Sequence, residues 1–160
     1  KPYISGHYGK ESAMGDRLLG NVDSSLSGLK IGVKAHDADL SFAIESVAHG
    51  KYLSPYSYFT DASYSNSMIS GFGNVEAGSA WKTALLYNFS PTFWSKLSYA
   101  KFAFNGGADT SEADFDLNYK FTEDFDGLSL WFRTAYRDGN TPPAALPDLI
   151  EYRTQIQYLF

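Results

Sequence analysis

Apolar and polar side chains alternate along most of this chain, the period-two signature of strands whose two faces meet different surroundings. Over 26–36, Leu29, Ile31, Val33 and Ala35 oppose Lys30, Gly32, Lys34 and His36. Over 38–48, Leu40, Phe42 and Ile44 oppose Asp39, Ser41, Ala43 and Glu45; over 77–89, Trp81, Thr83, Leu85, Tyr87 and Phe89 oppose Lys82, Ala84, Leu86 and Asn88. The pattern sharpens over 113–121, where Phe115, Leu117, Tyr119 and Phe121 face away from Asp114, Asp116, Asn118 and Lys120. It is clearest over 127–137 (Leu128, Leu130, Phe132, Thr134, Tyr136) and 149–160 (Ile150, Tyr152, Thr154, Ile156, Tyr158, Phe160). Residues 93–104 also predict a strand, but Leu97 and Tyr99 favour one parity and Phe102 and Phe104 the other, so a β-bulge near Ala100–Lys101 is expected. Tyr3–Tyr8 is the weakest candidate. Apolar residues do not recur at helical spacing over any long window, and Tyr, Phe, Thr and Gly are poor helix material. The expected class is all-β: an antiparallel up-and-down arrangement of about eight strands in a single domain, 1–160.

The connections say where the apolar faces point. With the C-terminal Phe160 at one end, 138–148, Asn105–Glu112, 49–76 and 9–25 fall at the opposite end as the longer loops. Thr122–Asp126, Ser90–Thr92 and a tight turn at Asp37 fall at the Phe160 end. Long and short connections then alternate, as in barrels that cross an outer membrane. The same topology puts Tyr87, Phe89, Phe93, Phe121, Tyr158 and Phe160 near the short-turn rim, and Tyr136, Tyr152 and Phe104 near the other. Amphipathic rings collect at membrane–water interfaces, so a pair of aromatic girdles is expected. The rival is a soluble β-sandwich, which has no reason to obey the loop alternation.

Composition changes this picture little. Aromatics make up 17% of the chain, Tyr and Phe contribute 12 each, and there are 14 Gly, a mixture typical of transmembrane barrels. No run of about 18 apolar residues exists, so no transmembrane helix is expected. A net charge of −5 lacks the basic face of a nucleic-acid binder. The absence of Cys removes disulfides, thiolate metal sites and Cys nucleophiles. The start, Lys1-Pro2-Tyr3, implies a removed signal peptide or a fragment.

Several stretches carry a family resemblance. The ending Glu151-Tyr-Arg-Thr-Gln-Ile-Gln-Tyr-Leu-Phe160 resembles the C-terminal targeting strand of outer-membrane proteins, which implies recognition by the barrel-assembly machinery through Phe160. Tyr56-Ser-Tyr-Phe-Thr-Asp-Ala62, Asn66-Ser-Met68, Gly78-Ser-Ala-Trp81-Lys82, Tyr87-Asn-Phe89 and Gly127-Leu-Ser-Leu-Trp-Phe-Arg-Thr-Ala-Tyr136 resemble the C-terminal half of OprD-type porins. The resemblance spans 50–160. It implies a substrate-selective outer-membrane channel for small, often carboxylate-bearing nutrients. Length is the departure: such porins have about 16–18 strands. The resemblance therefore implies that the N-terminal half lies outside this chain, with the inward-folded loop that narrows the family's pore.

The candidate chemistry is that of a lumen wall. Inward faces carry Lys30, Lys34, Lys82, Lys120, Arg133, Arg137 and Arg153 against Asp39, Glu45, Asp114, Asp116 and Glu151. Arg133, Arg137 and Arg153, with Lys120, are the expected substrate track, because guanidinium groups hand a carboxylate along by bidentate hydrogen bonds. The resemblance implies a basic ladder of this kind. The bland account is that these cations pair with Glu151 and Asp116. Catalysis is not expected: His7, His36 and His49 sit at unrelated spacings, and His49 and Asp61 in the long loop assemble no nucleophile–base–orienter set. Acidic runs at Asp109–Asp114 and Glu123–Asp126 lack calcium-loop spacing and are ordinary turn chemistry. No cofactor is expected; the partners are small solutes, ions and outer-membrane lipid. The competing functional class is a complete eight-stranded barrel, filled by its own side chains, that anchors or binds without conducting.

Overall fold

The computed structural model describes residues 1–12, 23–52, 63–71, 75–105, 109–139 and 148–159. The Tyr56–Ala62 run, Asp61, most of the 138–148 connection and Phe160 lie outside the described residues. The strands are β1 (Pro2–Glu11), β2 (Ser24–Ala35), β3 (Ala38–Tyr52), β4 (Val75–Ser90), β5 (Phe93–Phe104), β6 (Asp109–Lys120), β7 (Leu128–Asp138) and β8 (Leu149–Tyr158). They form one eight-stranded sheet in sequence order, with every neighbouring pair antiparallel. Among the described residues β1 and β8 are its two edges. A complete eight-stranded barrel would pair them, and a sandwich would need a second sheet, so neither alternative describes this architecture.

The two faces differ as the alternation predicts. The outer face leaves Ile4, Leu40, Phe42, Ile44, Leu97, Tyr152 and Ile156 exposed, Ile156 at 75%. The inner face buries Glu45, Lys82, Ser98, Glu112, Asp114, Asp116 and Asn118. Such an inversion is unstable in water and natural in lipid, where the apolar side has no aqueous surface to avoid.

Short connections are built from their own residues. Asn88 N–H donates to Asp37 O (2.8 Å), tying the β2–β3 turn to the end of β4. At the β4–β5 turn Ser90 Oγ accepts from Thr92 N–H (3.2 Å) and Phe93 N–H (3.1 Å), around Pro91. The β6–β7 connection makes a single 3₁₀ turn, Glu123–Phe125. Gly127 then closes it with φ +89°, and a Cβ there would meet Leu159 O at 2.4 Å. Gly127→Ala is expected to destabilise the barrel by at least about 1–2 kcal/mol, the cost of left-handed backbone for an L residue. A lower midpoint for loss of the heat-modifiable gel band checks it.

Three expectations need correction. β6 starts at Asp109, so the connection 105–108 is shorter than 121–127, and the strict long–short alternation breaks at that pair. Asp109–Glu112 looked like a loop because its outer positions lie beyond the apolar belt and carry no hydrophobic signal. No bulge occurs at Ala100–Lys101: the β4–β5 register runs unbroken from Gly78↔Phe104 to Asn88↔Trp94. The irregularities fall instead at Val47/Lys51 and Asn88/Ser90. Finally, Phe104, at the long-loop end of β5, faces inward rather than joining an outer girdle. It stacks on Phe102 (5.9 Å, 12°) against a buried cluster of Leu26, Val47, Ala80 and Ala100. Phe102 and Phe104 thus form an apolar patch on the inner face of β5, among charged neighbours, which is why β5 showed conflicting parities.

The short-turn girdle is continuous. Ring contacts run Tyr87–Phe89 (4.9 Å), Phe89–Phe93 (4.9 Å), Phe93–Tyr119 (6.4 Å), Tyr119–Phe121 (5.0 Å) and Phe121–Phe125 (6.3 Å). Above it, β4 carries Tyr87, Leu85, Thr83 and Trp81 outward before reaching Ser79. From Phe89 to Ser79 the strand advances about 33 Å at ~3.3 Å per residue; a tilt of about 40° projects this to ~25 Å, the height of a barrel's apolar band.

Candidate functional site

Most ionisable side chains of the inner face fall into two groups, because residues two apart on a strand share a face and register aligns them across strands; apart from these, Lys34 lies 3.6 Å from Asp39, which also accepts from the Tyr3 hydroxyl at 2.8 Å. The first group lies toward the long-loop end and holds a returning piece of the β3–β4 connection. Glu45 on β3 accepts from Ser63 Oγ (2.6 Å), Tyr64 N–H (2.6 Å), Ser65 N–H (2.7 Å) and Ser65 Oγ. Glu112 on β6, fully buried, accepts from Ile69 N–H and Ser70 N–H, both at 2.7 Å. Between them Lys82 on β4 donates to Asn66 O and to Ser67 Oγ (3.1 Å). Segment 63–71 is therefore a strap across the inner face, tied to β3, β4 and β6 by three buried charges. His7 Nε2 lies 3.1 Å from Glu45 Oε1, and its ring is 4.5 Å from that of Tyr64. Gly28 makes room for this, since a Cβ there would meet the His7 ring at 2.5 Å.

The second group lies toward the short turns. Arg133 Nε donates to Asp116 Oδ1 (2.6 Å) and its guanidinium lies 4.5 Å from the Trp131 ring centre. Lys96 approaches the same carboxylate at 4.0 Å. Trp94 meets Trp131 edge-on at 6.1 Å. Arg153, directly across from Arg133 in the β7–β8 ladder, binds Glu151 through Nε (3.1 Å) and Nη2 (2.5 Å). Between the groups, Lys82 stands 3.8 Å from Asp114, which also accepts from Ser98 Oγ (3.2 Å). Asp114 Oδ1, Asn118 Oδ1 and Trp131 Nε1 are buried and have no hydrogen-bond partner among the described residues.

The four track candidates do not form one cluster. Arg133 and Arg153 are register partners, each with its own carboxylate, as the bland account has it. Arg137 stands across from Glu112. Lys120 is exposed at the short-turn end, across from Ser129. Sequence reasoning missed Glu112, Lys96, His7 and the strap. Extending the Asp114 parity back by two residues would have placed Glu112 inside. The hydroxyl-rich run 63–70 carried no mark distinguishing an inward segment from a solvent loop. It is an inward segment within this chain, separate from the loop that the resemblance places outside it.

An antiparallel meander with an apolar outer belt, an aromatic girdle and ionised groups inside is a stretch of transmembrane β-barrel wall. The structure matches OccAB4 of Acinetobacter baumannii with a TM-score of 0.80 at 18% identity, covering 98% of this chain and 41% of that one. It matches OccK10 (OpdN) of Pseudomonas aeruginosa with a TM-score of 0.78 at 16% identity, covering 99% of this chain and 48% of that one. Both are OprD-family outer-membrane channels, and this chain spans less than half the length of either. No protein-family model and no curated protein matches the sequence.

Proposed function

We propose that the chain is part of an outer-membrane channel of the OprD type, passively conducting small hydrophilic solutes. One observation supports this most: an inner face of buried ionisable side chains lies behind an outer face of exposed apolar ones that, among the described residues, carries no charge between the aromatic girdle and Lys101. The two open edges support a larger barrel, since an unpaired edge cannot face lipid. The fold of the two Occ channels points the same way.

The chemistry also bears on the solute. Arg133 and Arg153 are register partners on the inner face of β7 and β8, with Arg137 further toward the long-loop end and Lys120 at the short-turn end. A solute carboxylate would exchange with Asp116 and Glu151, the internal carboxylates already bound there. The substrate class is therefore small carboxylate-bearing molecules, and the C-terminal strand is the address for barrel assembly. The test is reconstitution of the full-length barrel into a planar bilayer. Discrete conductance steps are expected; correctly inserted protein that passes no ion current would refute the channel.

A further inference from the structure

Two pairs of side chains bridge β6 on the inner face, in adjacent cross-strand rows. In the row nearer the short turns, Trp94 on β5 and Trp131 on β7 are both register partners of Asn118. Their rings meet edge-on at 6.1 Å, and Asn118 between them is buried. In the next row Lys96 and Arg133 are likewise both register partners of Asp116, which is buried too. Arg133 Nε donates to Asp116 Oδ1 at 2.6 Å, and Lys96 Nζ lies 4.0 Å from Oδ2. The rows meet where the Arg133 guanidinium lies 4.5 Å from the centre of the Trp131 ring. Arg133 is thus held on two sides, by a carboxylate at Nε and by a ring that Trp94 keeps from turning.

We propose that Trp131, braced by Trp94, is a positioning residue that makes Arg133 a reader of carboxylates rather than a bare positive charge. A guanidinium takes a carboxylate through two parallel hydrogen bonds only when its plane is correctly presented, whereas chloride senses little beyond the charge. With Asp116 on Nε, the Nη1/Nη2 edge is the one that receives an incoming carboxylate. A freely turning arginine would have to be ordered at each encounter; the ring does that ordering beforehand. A cation–π contact suits the task because it holds the flat face and leaves the N–H edge uncovered. The proposal rests on the channel reading and goes beyond the basic track, since it assigns part of the selectivity to a ring that carries no charge.

The test places the full-length barrel in a planar bilayer with propionate on one side and chloride on the other. The unaltered protein is expected to favour propionate beyond the ratio of the two ions' mobilities in water. Trp131→Leu should lower that preference about two- to fivefold, the worth of a partly exposed cation–π contact. The anion-to-cation ratio in potassium chloride should stay put, because no charge has moved. Trp131→Phe keeps an aromatic face and should retain most of the preference. Trp94→Leu leaves Trp131 in place but unbraced; it should act like Trp131→Leu more weakly, and it decides the matter if that variant does not insert. Arg133→Lys keeps the charge without the fork and should lose the preference, and adding Trp131→Leu to it should cost nothing more. An unchanged preference without the ring, a parallel fall in both ratios, or fully additive losses in the double variant would overturn the proposal. Conduction by the unaltered barrel with no preference for propionate overturns it as well and leaves the channel standing. Propionate binding in detergent, read as a saturable change in tryptophan fluorescence that chloride does not produce and Arg133→Lys abolishes, needs no current. Its presence in a barrel that passes none would refute the channel and leave the Trp131 shelf standing; its absence would sink the shelf.

Discussion

A barrel carrying Glu45→Gln and Glu112→Gln together is expected to pass more current than the unaltered protein, with a noisier open state. The strap 63–71 is held on the inner face by carboxylate anchors that accept from backbone N–H groups at Tyr64, Ser65, Ile69 and Ser70 and from the Ser63 and Ser65 hydroxyls. Hydrogen bonds to a charged acceptor are each worth about 1.5–3 kcal/mol. A glutamine presents one carbonyl oxygen and an NH₂ group, and that NH₂ would face donors. The pair of substitutions therefore removes several kcal/mol of tethering, enough to move the strap from almost always docked to often undocked. Undocking takes the strap off the inner wall, and a larger current is the expected result. Lys82→Met should act in the same direction but more weakly, because it frees only the Asn66–Ser67 stretch while also depriving Asp114 of its cation. Single-channel recording checks both. Unchanged conductance and noise in the double variant, with normal heat-modifiability, would mean the strap does not restrict the path.

The strap also marks where the sequence stopped being informative. Period-two alternation marked six strands plainly because lipid and lumen demand opposite chemistry of successive residues; β5 gave conflicting parities and β1 was only a weak candidate at Tyr3–Tyr8. Where one surrounding changed, the signal failed. At Phe102 and Phe104 the inner wall becomes apolar, so hydrophobicity ceased to mean outward. At Asp109–Glu112 the outer wall has left the membrane, so polarity ceased to mean loop. The turns were legible from Pro91, Ser90 and Asp37, whose side chains or ring geometry dictate the local bend. The site was half legible. Wall charges follow from parity alone, and Asp39, Glu45, Lys82, Asp114, Asp116 and Arg133 all lie on the predicted face. Their partners do not follow, because Glu45 and Glu112 meet segment 63–71 through backbone N–H groups that every residue possesses.

Arg133 and Arg153 carry the remaining large effect. Replacing both with Glu is expected to turn the channel toward cations, shifting the anion-to-cation permeability ratio several-fold. The two arginines are register partners on β7 and β8; each has a carboxylate partner, Asp116 for Arg133 and Glu151 for Arg153, yet Arg153 keeps 41% of its side chain exposed. An exposed, paired guanidinium can exchange its internal carboxylate for a solute's at little cost, since the lost and gained hydrogen bonds are alike. Reversal at Arg133 goes further, because it sets a new carboxylate beside Asp116, whose nearest remaining cation is Lys96 at 4.0 Å. The Arg133→Gln and Arg153→Gln pair separates charge from structure: it should give a smaller shift of the same sign. Reversal potentials under a salt gradient measure both. If the double Glu variant inserts normally and its reversal potential does not move, the arginines are structural ion-pair members and the solute path runs along a different stretch of the wall.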